Sequence, residues 1–203
     1  SSGALTVDQI NLSGKITLTS TGTANICIGV DNSDVGSHNI AIGVGALEKA
    51  TSVENTNIAI GTYALQNMDG TGSSAGTDSN VVIGKASGVN LDEAASTVAV
   101  GTLALASSDS GNAYSLYNVA IGNWAMLDNT GSGYNTCIGG LAGRYITDGG
   151  FNTFVGIQSG YDVTTGDANI CIGYLTKTGD ADSQIAIVIG NNISGTGDNK
   201  VVI

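Results

Sequence analysis

The residues able to do chemistry in this chain are few: three cysteines, one histidine and seventeen acids. Each cysteine sits in the middle of a similar pentapeptide, Cys27 in NICIG (25–29), Cys137 in NTCIG (135–139) and Cys171 in NICIG (169–173). A nucleophilic thiol needs a base in reach, and a metal-binding thiol needs companions at ligand spacing. His38 stands just before Asn39 with neither a nucleophile nor a ligand partner at suitable spacing, so it reads as an ordinary turn residue. Acidic, glycine-rich turns at 68–78, 178–183 and 194–199 raise the question of calcium. The G-G-x-G-x-D repeat of calcium-binding rolls is only partly matched, once, at 195–198, and no EF-hand loop occurs, so these read as solvated turns. Paired carboxylates for glycoside cleavage remain a minority reading, since seventeen acids always offer some pair. No cofactor is expected, because a phosphate cradle requires a helix start after its glycines and no helix is predicted.

The elements that must position these residues come from a repeat. The motif N-[IVT]-x-[IV]-G recurs ten times, closing at Gly29, Gly43, Gly61, Gly84, Gly101, Gly122, Gly139, Gly156, Gly173 and Gly190, and KVVI at 200–203 begins an eleventh copy. The glycines are 14, 18, 23, 17, 21, 17, 17, 17 and 17 residues apart, a basic unit of 17 with insertions. Positions two and four are Ile, Val or Thr in every copy, stiff β-branched side chains on one face of a strand. Position one is Asn in eight of eleven copies, suited to satisfying turn backbone and to an amide ladder from coil to coil. A second half-motif, G-x-x-[AST]-x, follows the glycine and predicts a second short extended run in each lap. The fold expected is all-β, a parallel β-roll or β-solenoid of about ten 17-residue coils stacked about 4.8 Å apart. Residues 25–203 form the repeat domain and residues 1–24 a β connector outside it; KVVI stops where a glycine is due, so a fragment of a longer protein is expected.

Position three points away from the β-branched column, yet it too is apolar: Cys27, Ala41, Ala59, Val82, Ala99, Ala120, Cys137, Phe154, Cys171 and Val188. A strand apolar on both faces is covered on both. The second half of each lap covers one face, and the small position-three residues are expected to meet other copies of the chain at a shared axis. Within that column a disulfide framework is not expected, because Cys137 and Cys171 lie two coils apart and bridged Cα atoms lie within about 7 Å. Cysteine here acts as a small hydrophobe.

Composition narrows the partners. A formal charge of -11, from six basic and seventeen acidic residues, repels phosphate backbones and anionic lipid. No run approaches the roughly 18–20 apolar residues of a membrane helix, and SSGALTVDQI lacks the basic and apolar regions of a signal peptide. Neither nucleic-acid binding nor membrane insertion is therefore expected. The longest insertions follow GTYAL and GTLAL, so they leave the coil at one edge. The second brings Tyr114 and Tyr117, with Trp124 soon after. Flat rings beside Ser, Asn and Asp suit the stacking and hydroxyl bonding of sugars, which makes these three the candidate surface-binding residues.

NIAIGVGAL, NIAIGTYAL and NVAIGNWAM resemble the N-x-A-I-G-x-x-[AS] repeats in the heads of trimeric autotransporter adhesins and the N-T-A-I-G-x-x-A-L repeats of phage tail fibres. The resemblance spans residues 25–203, and GALTVDQINL in the connector is also similar to phage fibre sequence. It implies a left-handed β-roll, a homotrimer, and an extracellular fibre on a phage virion or bacterial surface. The function implied is attachment to a target cell through a surface glycan or receptor, by multivalent display and without catalysis. A purely structural spacer is the runner-up, and a polysaccharide-degrading tailspike-like enzyme comes third.

Overall fold

The computed structural model describes residues 26–28, 38–50, 56–68, 79–91, 96–106 and 116–203. The connector at 1–24, Tyr114 and most of both long insertions lie outside the described residues. Among the described residues eleven short strands follow one another: β1 (Ile26–Ile28), β2 (Ile40–Ile42), β3 (Ile58–Ile60), β4 (Val81–Ile83), β5 (Val98–Val100), β6 (Val119–Ile121), β7 (Thr136–Ile138), β8 (Thr153–Val155), β9 (Ile170–Ile172), β10 (Ile187–Ile189) and β11 (Val201–Val202). They form one sheet in sequence order. Neighbours are parallel and in register, position three on position three, as in Cys137 on Phe154 and Phe154 on Cys171. The chain is a β-solenoid, each motif copy supplying one strand. Among the described residues no helix is long and apolar enough to cross a membrane.

The closing glycine is fixed by geometry. Gly139 has φ +136, and a Cβ there would lie 2.4 Å from the Gly156 carbonyl oxygen of the next coil. Backbone in this region with so close an approach is open only to glycine. Its described counterparts from Gly43 to Gly173 share this conformation and a comparably close approach, so the glycine column is one place where successive coils come very close.

The second half of the lap differs from the sequence expectation. Among the described residues it forms turns and bends, apart from one parallel bridge between Lys177 and Ser194, and β-strand occurs once per coil. Two of its slots are left-handed, the second and fourth residues after the glycine, as in Trp124 (φ 60) and Met126 (φ 48). A third left-handed slot precedes the Asn, as in Tyr134 (φ 63). Turn backbone is nonetheless paired coil to coil: the Met126 N–H donates to the Ala142 carbonyl, and the Gly143 N–H to the Ser159 carbonyl. These stacked bonds offset the strain of left-handed non-glycine residues.

The Asn column stitches the coils together. The Oδ1 of Asn135 accepts from the Asn152 N–H at 2.8 Å, that of Asn152 from Asn169 at 2.9 Å, and that of Asn169 from Ala186 at 2.9 Å. The Nδ2 groups of Asn135 and Asn152 turn to the Gly149 and Gly166 carbonyls. Both ends of these buried amides are satisfied, the condition under which burying them is tolerable.

The position-three column is where the structure corrects the sequence reading. Ala41, Ala59, Val82, Ala99, Ala120, Cys137, Phe154, Cys171 and Val188 are each 0% exposed within a single chain, so they cannot form an inter-chain face. They point into their own coil and share its core with Ala46, Ala64, Ala104, Ala125 and Ala142, the small residues of the second half-motif. Only Cys27, on the first strand, is exposed. The physical reason is thickness: one lap is a flat loop, and its two walls come so close that small side chains fill the gap. Larger residues enter where the facing turn gives room, as Gly160 does for Phe154. The β-branched residues at positions two and four face outward, and Ile28, Ile83, Ile121, Ile138 and Ile172 are exposed.

Candidate binding surface

Outward-facing aromatics gather on coils six to eight. Tyr117, Tyr134 and Phe151 each precede the motif Asn, one coil apart, and their rings stack. The centroids are 5.2 Å apart for Tyr117 on Tyr134 and 4.9 Å for Tyr134 on Phe151, the latter pair within 3° of parallel. In-register coils bring equivalent side chains to the strand spacing, which is also the distance of offset ring stacking. All three rings are exposed. Ala168 occupies the next slot of this column, so the stack ends at Phe151.

Trp124 belongs to a second group. It follows the closing glycine of β6, whereas Tyr117 precedes that strand, so the two expected partners sit at opposite ends of β6 and in different clusters. The Arg144 guanidinium lies 5.1 Å from the Trp124 ring centroid and 5.1 Å from that of Tyr145, a cation held between two rings. Tyr145 meets Tyr161 edge-on at 4.8 Å, and their hydroxyls are 3.1 Å apart. The Tyr145 phenol is raised above its usual range, first by that hydrogen bond and then by burial, against the lowering pull of Arg144.

Sequence reasoning singled out Tyr117 and Trp124 but missed Tyr134, Phe151, Arg144, Tyr145 and Tyr161. For the first two the signal was present in YNVAIG, YNTCIG and FNTFVG, three aromatics in one slot at a spacing of 17. The second group joins residues from different slots, and no spacing announces it.

Among the described residues, several of the other chemical side chains have assigned surroundings. His38 is an exposed turn residue with φ 62. Asp162 accepts from the Thr178 and Gly179 N–H groups through its two oxygens, and Asp198 accepts from the Gln184 N–H at 2.7 Å. Of the acidic turns noted in the sequence, the one at 194–199 thus uses Asp198 to hold backbone, and residues 69–78 of the first lie outside the described residues. All three cysteines are free thiols. Burial raises Cys137 far above the ordinary thiol range and pushes Cys171 up to about 12, with a smaller rise at Cys171 from Asp162. Only the thiolate is nucleophilic. Partial burial raises Cys27 too, but it alone is exposed, so in the folded chain at pH 8 it is expected to react alone with an alkylating reagent, and Cys137 and Cys171 only after denaturation. Peptide mass mapping checks this, and prompt alkylation of Cys137 would contradict its burial. Comparison of the chain with family models, with curated proteins and with solved structures finds no match.

Proposed function

We propose that this chain is a rod-like segment of an extracellular attachment fibre, on a phage virion or a bacterial surface, that works as a homotrimer and engages glycan or receptor on a target cell without catalysis. The observation that carries the reading is the outward column at positions two and four. It runs along the whole sheet as Ile, Val and Thr without one charged residue, on a chain of net charge -11. An apolar stripe of that length on so acidic a molecule is a surface to be covered. Copies that repel one another through their flanks can still join along a charge-free stripe, and the identical repeat gives each copy the same stripe. The inter-chain face is thus assigned to positions two and four. Left-handed winding and threefold symmetry rest on the resemblance to adhesin heads and tail fibres.

Three rods side by side would present three copies of the Tyr117–Tyr134–Phe151 edge, and weak contacts made three at a time give strong attachment. The test is binding of the fragment to an immobilised glycan panel and to whole cells. Binding that falls by roughly tenfold or more when Tyr117, Tyr134 and Phe151 are replaced together by Ala is the expected result. No binding to any glycan or cell would favour the spacer reading.

A further inference from the structure

Beside Trp124 the surface holds a recess of about 330 Å³, lined by Thr102, Asn123, Trp124, Gly140 and Leu141 from three successive coils. That is the small end of the range of about 300–1,000 Å³ in which ligand sites fall. One of its lining residues, Gly140, carries no side chain. Gly140 occupies the slot just after the closing glycine, which holds Asn123 in the coil before and Ile157 in the coil after. Unlike Gly139, it has no positive φ, and a Cβ there would find its nearest neighbour at 3.9 Å, the Asn123 carbonyl. Neither backbone conformation nor packing requires glycine at 140. Its effect is to leave a notch in an otherwise filled column.

The walls have two chemistries. Trp124 and Leu141 are apolar, and the indole is steadied by Arg144 at 5.1 Å from its centroid and by its own constrained backbone at φ 60. Asn123 Oδ1 accepts from the Thr102 N–H at 3.1 Å, which fixes the amide, and the Asn123 amide and Thr102 hydroxyl are the neutral polar groups among the lining residues. No charged side chain lines it. A rigid aromatic wall, an aliphatic wall and two neutral hydrogen-bonding groups are complementary to a pyranose, which has apolar C–H faces and a rim of hydroxyls. We propose that this recess binds one neutral pyranose unit of a surface glycan, with its C–H face on Trp124 and its hydroxyls on Asn123 and Thr102. The proposal rests on the adhesive reading and names its ligand class and site.

Trp124 is the only tryptophan in the chain, so intrinsic indole fluorescence reports on this site alone. The experiment titrates the protein with glucose, galactose, mannose and N-acetylglucosamine. A saturable fluorescence change with at least one sugar is expected, at the millimolar affinity usual for one shallow ring site. Gly140→Ile should fill the notch while the fold is kept, because Ile157 already holds the equivalent slot one coil on. Sugar affinity should then fall by roughly tenfold or more, with circular dichroism and melting temperature unchanged. Asn123→Ala should weaken binding without filling the space. A response equal in the unsubstituted chain and Gly140→Ile overturns the proposal, as does no response to any of the four sugars. A blue shift that follows protein concentration alone would place a second copy in the recess and equally overturn it. In each of these cases the adhesive reading still stands or falls separately, on the cell and glycan-panel binding.

Discussion

Phe154→Ala is expected to destabilise the rod by about 3–5 kcal/mol, the range for truncating a fully buried Phe. Phe154 heads the fully buried side chains by volume, and it sits between Cys137 and Cys171 in the position-three column. Its surroundings cannot close over the vacated space. Gly143 and Gly160 face it from the turns, both at left-handed φ, and a Cβ on Gly160 would already stand 2.4 Å from the ring. Rigid, coil-bonded backbone on that side means a cavity persists, and a persistent cavity adds to the lost transfer free energy. At about 2–4 °C per kcal/mol for a chain of this size, the melting temperature should drop by roughly 6–20 °C. Phe154→Leu should recover most of the loss. A penalty under about 1 kcal/mol for the Ala variant would mean that position three does not pack inside the coil.

The second large effect concerns the opposite face. Replacing Ile138 and Ile172 together by Lys is expected to leave each chain folded and to separate the copies. Both side chains are 38% exposed in the single chain, so an ammonium there reaches water and the fold loses little. In an assembly joined along positions two and four the same two charges on every copy would be buried without partners, at several kcal/mol per ion. Association should therefore weaken by orders of magnitude while circular dichroism is preserved. Cys137→Lys, on the inward face, should instead unfold the coil. The contrast between 137 and 138, adjacent residues, separates an inter-chain role from an intra-chain one.

Much of this fold was legible in the sequence because its logic is one-dimensional. A β-branched residue on either side of an apolar one, closed by glycine and recurring at a near-constant interval, marks every strand from Ile26–Ile28 to Val201–Val202. The Asn column was equally readable, since an amide is the side chain able to accept from the next coil while donating to a turn. Which face pointed inward was not, because a strand apolar on both sides carries no alternation to orient it. Size was the unused clue: Ala and Cys at position three match the Ala at 46, 64, 104, 125 and 142, and small residues pair where two walls of one loop come close.

The left-handed slots were hidden for a similar reason. Leu47, Leu65, Leu105 and Met126 give no hint of positive φ individually, yet Gly88, Gly143 and Gly160 stand in the same slot of their coils. Reading the repeat down its columns would have exposed the turn. The binding surface was half legible: Tyr117, Tyr134 and Phe151 share a column, whereas the notch at Gly140 appears only when the coils are stacked and one side chain is missing.

The central claim, that copies of this chain join along the outward β-branched column, is tested most directly by the mass of the unsubstituted protein in solution, measured by light scattering or sedimentation equilibrium. One chain is 20.2 kDa. A concentration-stable mass three times that value, falling to the single-chain mass in the Ile138→Lys, Ile172→Lys variant, is the expected result. A mass of 20.2 kDa for the unsubstituted chain at micromolar concentration would contradict it.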